Sequence, residues 1–329
     1  MTNIQPFLDK VRRSVEAHRT GPSGGYRRML SDPMEADLYG TADAAILLYT
    51  LGELPEAGGT GHNGMVTTIQ RFQVQDSGLF PGAGHHPIHG TAYAIAALEL
   101  LDNKPLYPLT DLHGLKSRAA LYDFMDGLDW VNRPWSESHK GAGIYAALVL
   151  AGEVDREWED WYLNWLQQQA DPVTGLWCRQ AVYATDGAPL FHHLASSFHY
   201  LFNLNYRKRS MQYPDAWIDT CLALQASGQI PLAAGELSFV ELDVLYTLIS
   251  AASQTGHRAG ELQDMMHTIG CHLLRSVEVL SAGPEAAVFE DLHALCGTVC
   301  ALALVQSILP EQVVADRLLL KVLDRRPFI

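Results

Sequence analysis

The chain has 329 residues, of which 48% are hydrophobic and 18% are charged, and this balance excludes a disordered polymer and favours a large folded core. Asp and Glu number 37 against 23 Lys and Arg, and the net charge of −14 argues against binding to a nucleic-acid backbone or an anionic membrane surface. The first residues contain no apolar signal core, and no apolar run approaches the ~20 residues that span a bilayer. We therefore expect a cytoplasmic protein.

Two copies of one helix, GTADAAILLYTLGELP at 40–55 and GTAYAIAALELLDNKP at 90–105, establish an internal repeat. Self-similarity at a period of about 20 to 50 residues is typical of an array of supersecondary units. Weaker copies of this apolar, small-residue-rich helix are predicted to begin near Ser138, His193, Ser238 and Asp291. The sequence thus predicts six buried helices at intervals of about 50 residues.

Segments with a narrower apolar stripe and a polar opposite face separate these helices. They are predicted at 6–17, 63–73, 115–129, 156–169, 215–226 and 261–278. A helix that is apolar on all sides is buried, whereas a helix with one apolar stripe lies outside. Six inner helices alternating with six outer ones predict an all-α protein, an (α/α)6 toroid that closes on itself as a single domain over residues 1–329.

In such a ring the inner helices run the same way, so their N-termini gather at one mouth, where a binding site can form. Helix N-termini carry unsatisfied N–H groups and a positive dipole end, which favour polar ligands. Titratable and aromatic side chains are concentrated at these helix starts. They include Asp37, Tyr39, His86, His89, Trp135, Glu137, His139, His192, His193, Glu241, Asp243 and Asp291.

Single residues of this kind often serve the helix itself. An acidic residue at a helix start is most often a cap or a partner of the helix dipole, and this is the plainer interpretation of Asp291. Glu241 and Asp243 instead lie inside their helix, which favours an inward-facing role. The cluster as a whole is therefore more informative than any one member.

The turns QDSGLF at 75–80 and QADPVTGLW at 169–177 are expected to have a positive φ at the glycine and an aromatic side chain that anchors the loop. With six helix pairs, such turns and polar inner-helix starts, the chain resembles the (α/α)6-toroid enzymes of carbohydrate metabolism. These include unsaturated uronyl hydrolases, glucuronidases and helical-toroid polysaccharide lyases. The turns are also similar to those of terpenoid cyclases and prenyltransferase β subunits, but the Asp-x-Asp-Asp and Asp-x-x-Asp-Asp motifs are absent.

The resemblance implies an enzyme that acts on an oligosaccharide. Glycoside hydrolysis needs two carboxyl groups, about 5 Å apart in retaining enzymes and about 6.5–9.5 Å apart in inverting ones. Candidates on four inner helices are Asp37, Glu137, Asp243 and Asp291. Glu137 is our first choice for the general acid or base, because Trp135 could stack on a sugar and His139 could tune the carboxyl pKa. Asp37 or Asp243 would be the opposing carboxylate.

β-Elimination from a uronate is the main alternative. It needs a base, an acid and a group that binds the substrate carboxylate, and helical-toroid lyases commonly use Tyr and His for the first two. His193, His199 and Tyr200 would suit that chemistry, and Arg133 or Arg179 could bind the carboxylate.

A sugar-binding toroid without activity is a third hypothesis, because fold does not determine activity. A metal site is a fourth, since imidazoles suit zinc, nickel or copper. Its ligands would be His85, His86, His89 and His193. An i, i+3 pair such as His86 and His89 is equally explained by hydrogen bonds to substrate, and the five cysteines form no CxxC pair. We therefore predict a glycosidase without a metal or cofactor, and monomer and dimer are both open.

Overall fold

The structure is a computed structural model that describes residues 1–22, 24–82, 85–232, 237, 239–283, 286–326 and 328–329. These residues form twelve α-helices. In chain order they are α1 (Gln5–Ala17), α2 (Leu38–Leu51), α3 (Thr60–Gln70), α4 (Pro87–Leu100), α5 (Arg118–Asp126), α6 (Pro134–Ala151), α7 (Arg156–Gln169), α8 (Leu190–Tyr206), α9 (Pro214–Ala226), α10 (Val240–Ala252), α11 (Ala259–Ala282) and α12 (Leu292–Ile308). Two short strands, β1 (Thr2–Asn3) and β2 (Val313–Val314), pair in parallel.

The six even-numbered helices form an inner ring. Each contacts the next one along the chain, and α12 contacts α2, so the ring is closed. The odd-numbered helices lie outside it: α3 packs on α2 and α4, α7 on α6 and α8, and α11 on α10 and α12. The structure confirms the all-α (α/α)6 toroid predicted from the sequence.

Burial distinguishes the two layers as the periodicity predicts. Every residue of α12 from 295 to 306 is buried, whereas the neighbouring outer helix α11 buries a stripe that includes Leu262, Met265, Ile269 and Leu273. A helix enclosed by neighbours needs apolar residues on all sides, and an outer helix needs them on one face only. Within the described part of the chain, no helix is both long and apolar enough to cross a bilayer.

Helix boundaries follow local capping. Helix α7 begins where predicted because the Asp155 side chain accepts a hydrogen bond from Trp158 N at 3.0 Å. The predicted segment 115–129 is instead divided into a 3-10 helix (Thr110–Lys116) and α5, because Ser117 caps α5. The predicted start at Ser238 lies outside the described residues, and α10 begins at Val240.

Three inner helices hold the preceding loop by the same contact, in which a loop aromatic residue donates its backbone N–H to a helix hydroxyl. The contacts are Tyr26 N to Thr41 Oγ1 at 3.1 Å, Phe80 N to Thr91 Oγ1 at 2.9 Å and Trp177 N to Ser197 Oγ at 3.0 Å. The glycine before each threonine lets the loop backbone pack directly against the helix. A Cβ on Gly40 would lie 2.2 Å from Arg27 C, and a Cβ on Gly90 would lie 2.5 Å from Phe80 O. The repeated Gly-Thr pair therefore fixes the loops above the ring.

The two predicted turns have the expected backbone conformation. The φ angle is 75° at Gly78 and 77° at Gly175, and the aromatic residues Phe80 and Trp177 that follow are buried. At Gly78 the space is also closed, since a Cβ would lie 1.9 Å from Pro108 O. This turn requires glycine for two independent reasons.

Replacing Gly78 by Ala should therefore destabilise the protein more than the same change at the exposed Gly58. Gly58 also has a positive φ, 77°, but no heavy atom lies within 4 Å of the position that a Cβ would take there. Gly58→Ala should cost about 1–2 kcal/mol from the left-handed backbone alone. Gly78→Ala should cost a further 1–3 kcal/mol, roughly, from the steric overlap. Urea unfolding of both variants measures the difference, and equal losses would contradict the steric argument.

Candidate active site

Each inner helix contributes at least one polar side chain to a common cluster at the mouth of the ring, and in all but α8 this side chain comes from the first two turns. These side chains are Tyr39 of α2, His89 of α4, His139 of α6, His199 of α8, Asp243 of α10 and His293 of α12. The ring thus brings together residues that are far apart in the sequence.

The cluster surrounds a cavity of about 190 Å³. Its lining residues are His85, His89, Trp135, His139, Phe198, His199, Phe239, Asp243, His293 and Ile329. Aromatic surfaces and a few convergent polar groups are typical of a small-molecule site. The volume is sufficient for a small polar group, such as one sugar ring inserted from outside.

The imidazole rings form a continuous chain through the cluster. Ring centroids are 4.5 Å apart for His85 and His89, 4.7 Å for His89 and His139, and 4.9 Å for His139 and His199. Tyr39 stacks on His85 at 5.0 Å. These contacts join loop and helix residues into one packed unit.

Hydrogen bonds orient two of these rings. His89 Nδ1 is 2.8 Å from Tyr39 Oη, and His199 Nδ1 is 2.9 Å from Ser138 Oγ. Ser138 Oγ itself donates to the Trp135 carbonyl at 2.5 Å, so it is available to accept from His199. With Nδ1 protonated, the Nε2 of His199 carries the lone pair.

A buried carboxylate that the sequence analysis missed lies behind His293. Asp43 is fully buried on α2, and its Oδ1 is 2.9 Å from His293 Nδ1. The same oxygen accepts a short hydrogen bond from Tyr93 Oη of α4. Asp43 and Tyr93 occupy the same position in GTADAA and GTAYAI, so the alignment of the two repeats contained a signal for this pair.

Burial determines the protonation of the cluster. It lowers the pKa of His89 and His199 well below the usual range, and that of His139 to about 4, with neighbouring imidazoles lowering each further. Burial raises the pKa of Asp243 well above its usual range, and nearby Glu241 raises it further. Burial therefore favours the uncharged form of His89, His139 and His199 and the protonated form of the Asp243 carboxyl.

Several predicted residues meet at this cavity. His89, Trp135, His139 and Asp243 line it, and Tyr39 binds His89 behind it. His192 lies next to Trp135, with ring centroids 5.7 Å apart, but does not line the cavity.

Asp37 and Asp291 cap inner helices and line a neighbouring cleft of about 620 Å³. Asp37 accepts from Gly40 N at 2.7 Å and from Arg28 N at 2.6 Å. Asp291 accepts from His293 N and pairs with the Arg28 guanidinium at 3.0 and 2.9 Å. Capping explains both carboxylates, as the plainer interpretation of Asp291 expected.

Glu137 lies outside the cavity lining. Its carboxylate pairs with Arg133 at 3.4 Å and with Lys140. His86 is exposed and caps α4, accepting from Ile88 N at 3.2 Å. The structure therefore places Glu137, Arg133 and His86 at helix starts but outside the cavity lining. The catalytic role of Glu137 and the substrate contacts of Arg133 and His86 stay predictions.

The remaining predicted residues are buried around the site. Tyr200 packs against Trp130 and Trp177, with ring centroids 5.3 and 5.9 Å away. His193 is buried on α8. Glu241 Oε1 lies 3.6 Å from His272 Nε2 of the outer helix α11. Tyr200, His193 and Glu241 do not line the cavity.

The segment that follows β2 forms one wall of the cavity, which the sequence analysis did not predict. Arg325 binds Glu99 at 3.3 Å and Asp102 at 2.7 Å, at the C-terminal end of α4 and opposite the mouth. Phe328 then packs against His89, with ring centroids 5.3 Å apart, and Ile329 lines the cavity. This segment therefore fills the axis of the ring beneath the site.

No family model and no curated protein matches the sequence. Among solved structures, the chain is similar to the GH76A alpha-1,6-mannanase from Salegentibacter sp. HEL1_6, at a TM-score of 0.51 and 13% sequence identity. The alignment covers 92% of this chain and 98% of the mannanase chain. At this level of identity the similarity establishes the toroid fold over nearly the whole chain.

Replacing Tyr93 by Phe tests whether the buried Asp43 depends on its hydroxyl partner. Leaving a buried carboxylate with one bond fewer should lower the free energy of unfolding by about 1–3 kcal/mol. Tyr200→Phe is the matched control, because Tyr200 Oη is buried without a hydrogen-bond partner among the described residues. Its loss should leave the free energy of unfolding unchanged or raise it, because a buried hydroxyl without a partner has already lost its hydrogen bonds to water. Chemical denaturation compares the two, and a larger loss in Tyr200→Phe would refute this account.

Proposed function

We propose that the protein is a glycoside hydrolase that binds one sugar of a small oligosaccharide at the mouth of the ring. The observation that supports it best is the cavity in which Asp243, Trp135 and neutral imidazoles converge. The similarity in fold to a mannanase is consistent with this proposal. Trp135 provides an aromatic surface for the sugar ring, and the Nε2 of His199 can accept a hydrogen bond from one of its hydroxyls.

We assign the general acid to Asp243. Asp243 lines the cavity, and burial raises the pKa of its carboxyl, which favours the protonated form that can donate a proton to the glycosidic oxygen as the bond to the anomeric carbon breaks. The sequence favoured Glu137 for this role, but Glu137 pairs with two cations and does not line the cavity.

We assign the base to His293 together with Asp43. His293 lines the cavity, and its Nδ1 is 2.9 Å from the Asp43 carboxylate. Such a carboxylate holds the ring in one tautomer and stabilises the imidazolium that forms when Nε2 takes a proton. The pair can thus activate a water molecule that attacks the anomeric carbon, which is the direct-displacement route of an inverting glycosidase.

The reaction class is tested with a panel of neutral and uronate-containing oligosaccharides that includes α-1,6-mannosides. Hydrolysis releases reducing ends without new ultraviolet absorbance, whereas elimination produces an absorbing conjugated double bond. Reducing ends alone would support the proposal. Absorbance would favour a lyase, and neither signal would favour a binding protein.

Elimination is the second candidate because of the Tyr39–His89 hydrogen bond of 2.8 Å. A Tyr and a neutral His in contact at a cavity can supply the acid and base of a β-elimination. The sequence suggested His193, His199 and Tyr200 for that chemistry; of these three, His199 lines the cavity, whereas His193 and Tyr200 do not.

Replacing Asp243 by Asn should lower kcat by about 100-fold or more, because the amide cannot donate the proton that the leaving oxygen needs. Glu137→Gln should lower it by less than about tenfold, since this residue is not near the reacting bond. Steady-state kinetics on the best substrate of the panel compares the variants, with circular dichroism as the folding control. The reverse order of effects would return the role to Glu137.

A further inference from the structure

Three histidines of the cluster have the arrangement of metal ligands. His85 precedes α4, His89 is in the first turn of α4, and His139 is in the second turn of α6. One ring nitrogen of each lies within 4.8 Å of those of the other two. We propose that these three imidazoles bind one divalent transition-metal ion, for which zinc is the natural probe. This proposal differs from the expectation of no metal and does not depend on the proposed hydrolysis.

The spacing needs only a small adjustment to fit zinc. Zn–N bonds of about 2.0–2.1 Å in a tetrahedral site place the ligand nitrogens about 3.4 Å apart. The three ring nitrogens lie within 4.8 Å of one another, so a movement of less than about 1 Å by each nitrogen brings them to the spacing of a zinc site. His85 lies in the loop before α4, so rotation of its side chain can supply part of this movement.

Tyr39 provides the outer contact that metal-binding histidines usually have. When His89 Nδ1 donates to Tyr39 Oη at 2.8 Å, the lone pair is on Nε2 and is free to bind the ion. Tyr39 also stacks on His85 at 5.0 Å, so one side chain supports two of the three ligands. Such contacts fix the tautomer and the ring orientation.

Three protein ligands next to a cavity leave a coordination position open. The ligands share the 190 Å³ cavity with Asp243, His199 and His293. Three imidazoles with an open fourth position are typical of zinc that binds water or a ligand oxygen, whereas structural zinc sites are closed by four protein ligands. The site therefore takes a small oxygen ligand such as water, a hydroxyl or a carboxylate.

The test is direct binding of Co²⁺ and Zn²⁺ to the full chain after treatment with a chelator. The protein should bind one equivalent of Zn²⁺, and Co²⁺ should give the visible absorption of a low-symmetry, nitrogen-rich site. His139→Ala should weaken Zn²⁺ binding by at least about 100-fold, and Tyr39→Phe by about 10- to 100-fold. His139→Gln, which keeps a polar side chain of similar size, replaces the alanine variant if that variant does not fold.

The control is His267→Ala on the outer helix α11, where the ring nitrogen is 3.7 Å from Cys271 Sγ. This pair on the outer helix is a second place where zinc could bind, and its loss should leave the one equivalent unchanged. Binding that is abolished by His267→Ala and retained in His139→Ala would overturn the proposal, as would the absence of stoichiometric binding. Either result would leave the proposed hydrolysis untouched, because no step of it uses the ion.

Discussion

The hydrogen bond from a loop backbone N–H to a hydroxyl inside the next inner helix determines where the mouth of the ring lies. Thr41, Thr91 and Ser197 each accept one such bond from an aromatic residue whose ring is buried. A buried N–H without a partner costs about 1–3 kcal/mol, so the loop is held at one height above the ring. Because the backbone makes the contact, side chains of the loop, such as His85, remain available for the site.

The fold was predictable because the helices of a closed ring are constrained on all sides. Inner helices must be apolar around their whole circumference, and the repeat then recurs at a constant period, which the sequence displays. The division of segment 115–129 was not predicted, because a single hydroxyl at Ser117 determines it. Helix ends depend on such local caps, whereas helix existence depends on the summed burial of many residues.

The site was predicted in part, and helix geometry explains the errors. Two successive steps along a helix rotate the side-chain direction by about 200° about the helix axis, so residues two apart lie on nearly opposite faces. Glu137 and His139 therefore cannot both face the cavity. For the same reason Glu241 and Asp243 lie on opposite faces of α10: Glu241 faces α11, and Asp243 lines the cavity. The sequence showed which helix starts are polar. Which residue of each start faces inward depends on the rotation of that helix about its axis, and packing against two neighbouring helices determines this rotation.

The repeat also explains why the cluster forms hydrogen bonds across the ring. Tyr39 and His89 occupy equivalent positions in neighbouring inner helices, and so do Asp43 and Tyr93, one turn deeper. Two aspartates at positions 43 and 93 would have placed two carboxylates together, at a high cost in a buried site. The copies have kept Gly, Thr and Ala where backbones approach closely and have diverged where polar faces meet. The same enclosure that requires matched partners also keeps the imidazoles neutral, so packing of the ring and chemistry of the site share one physical cause, the removal of these side chains from water.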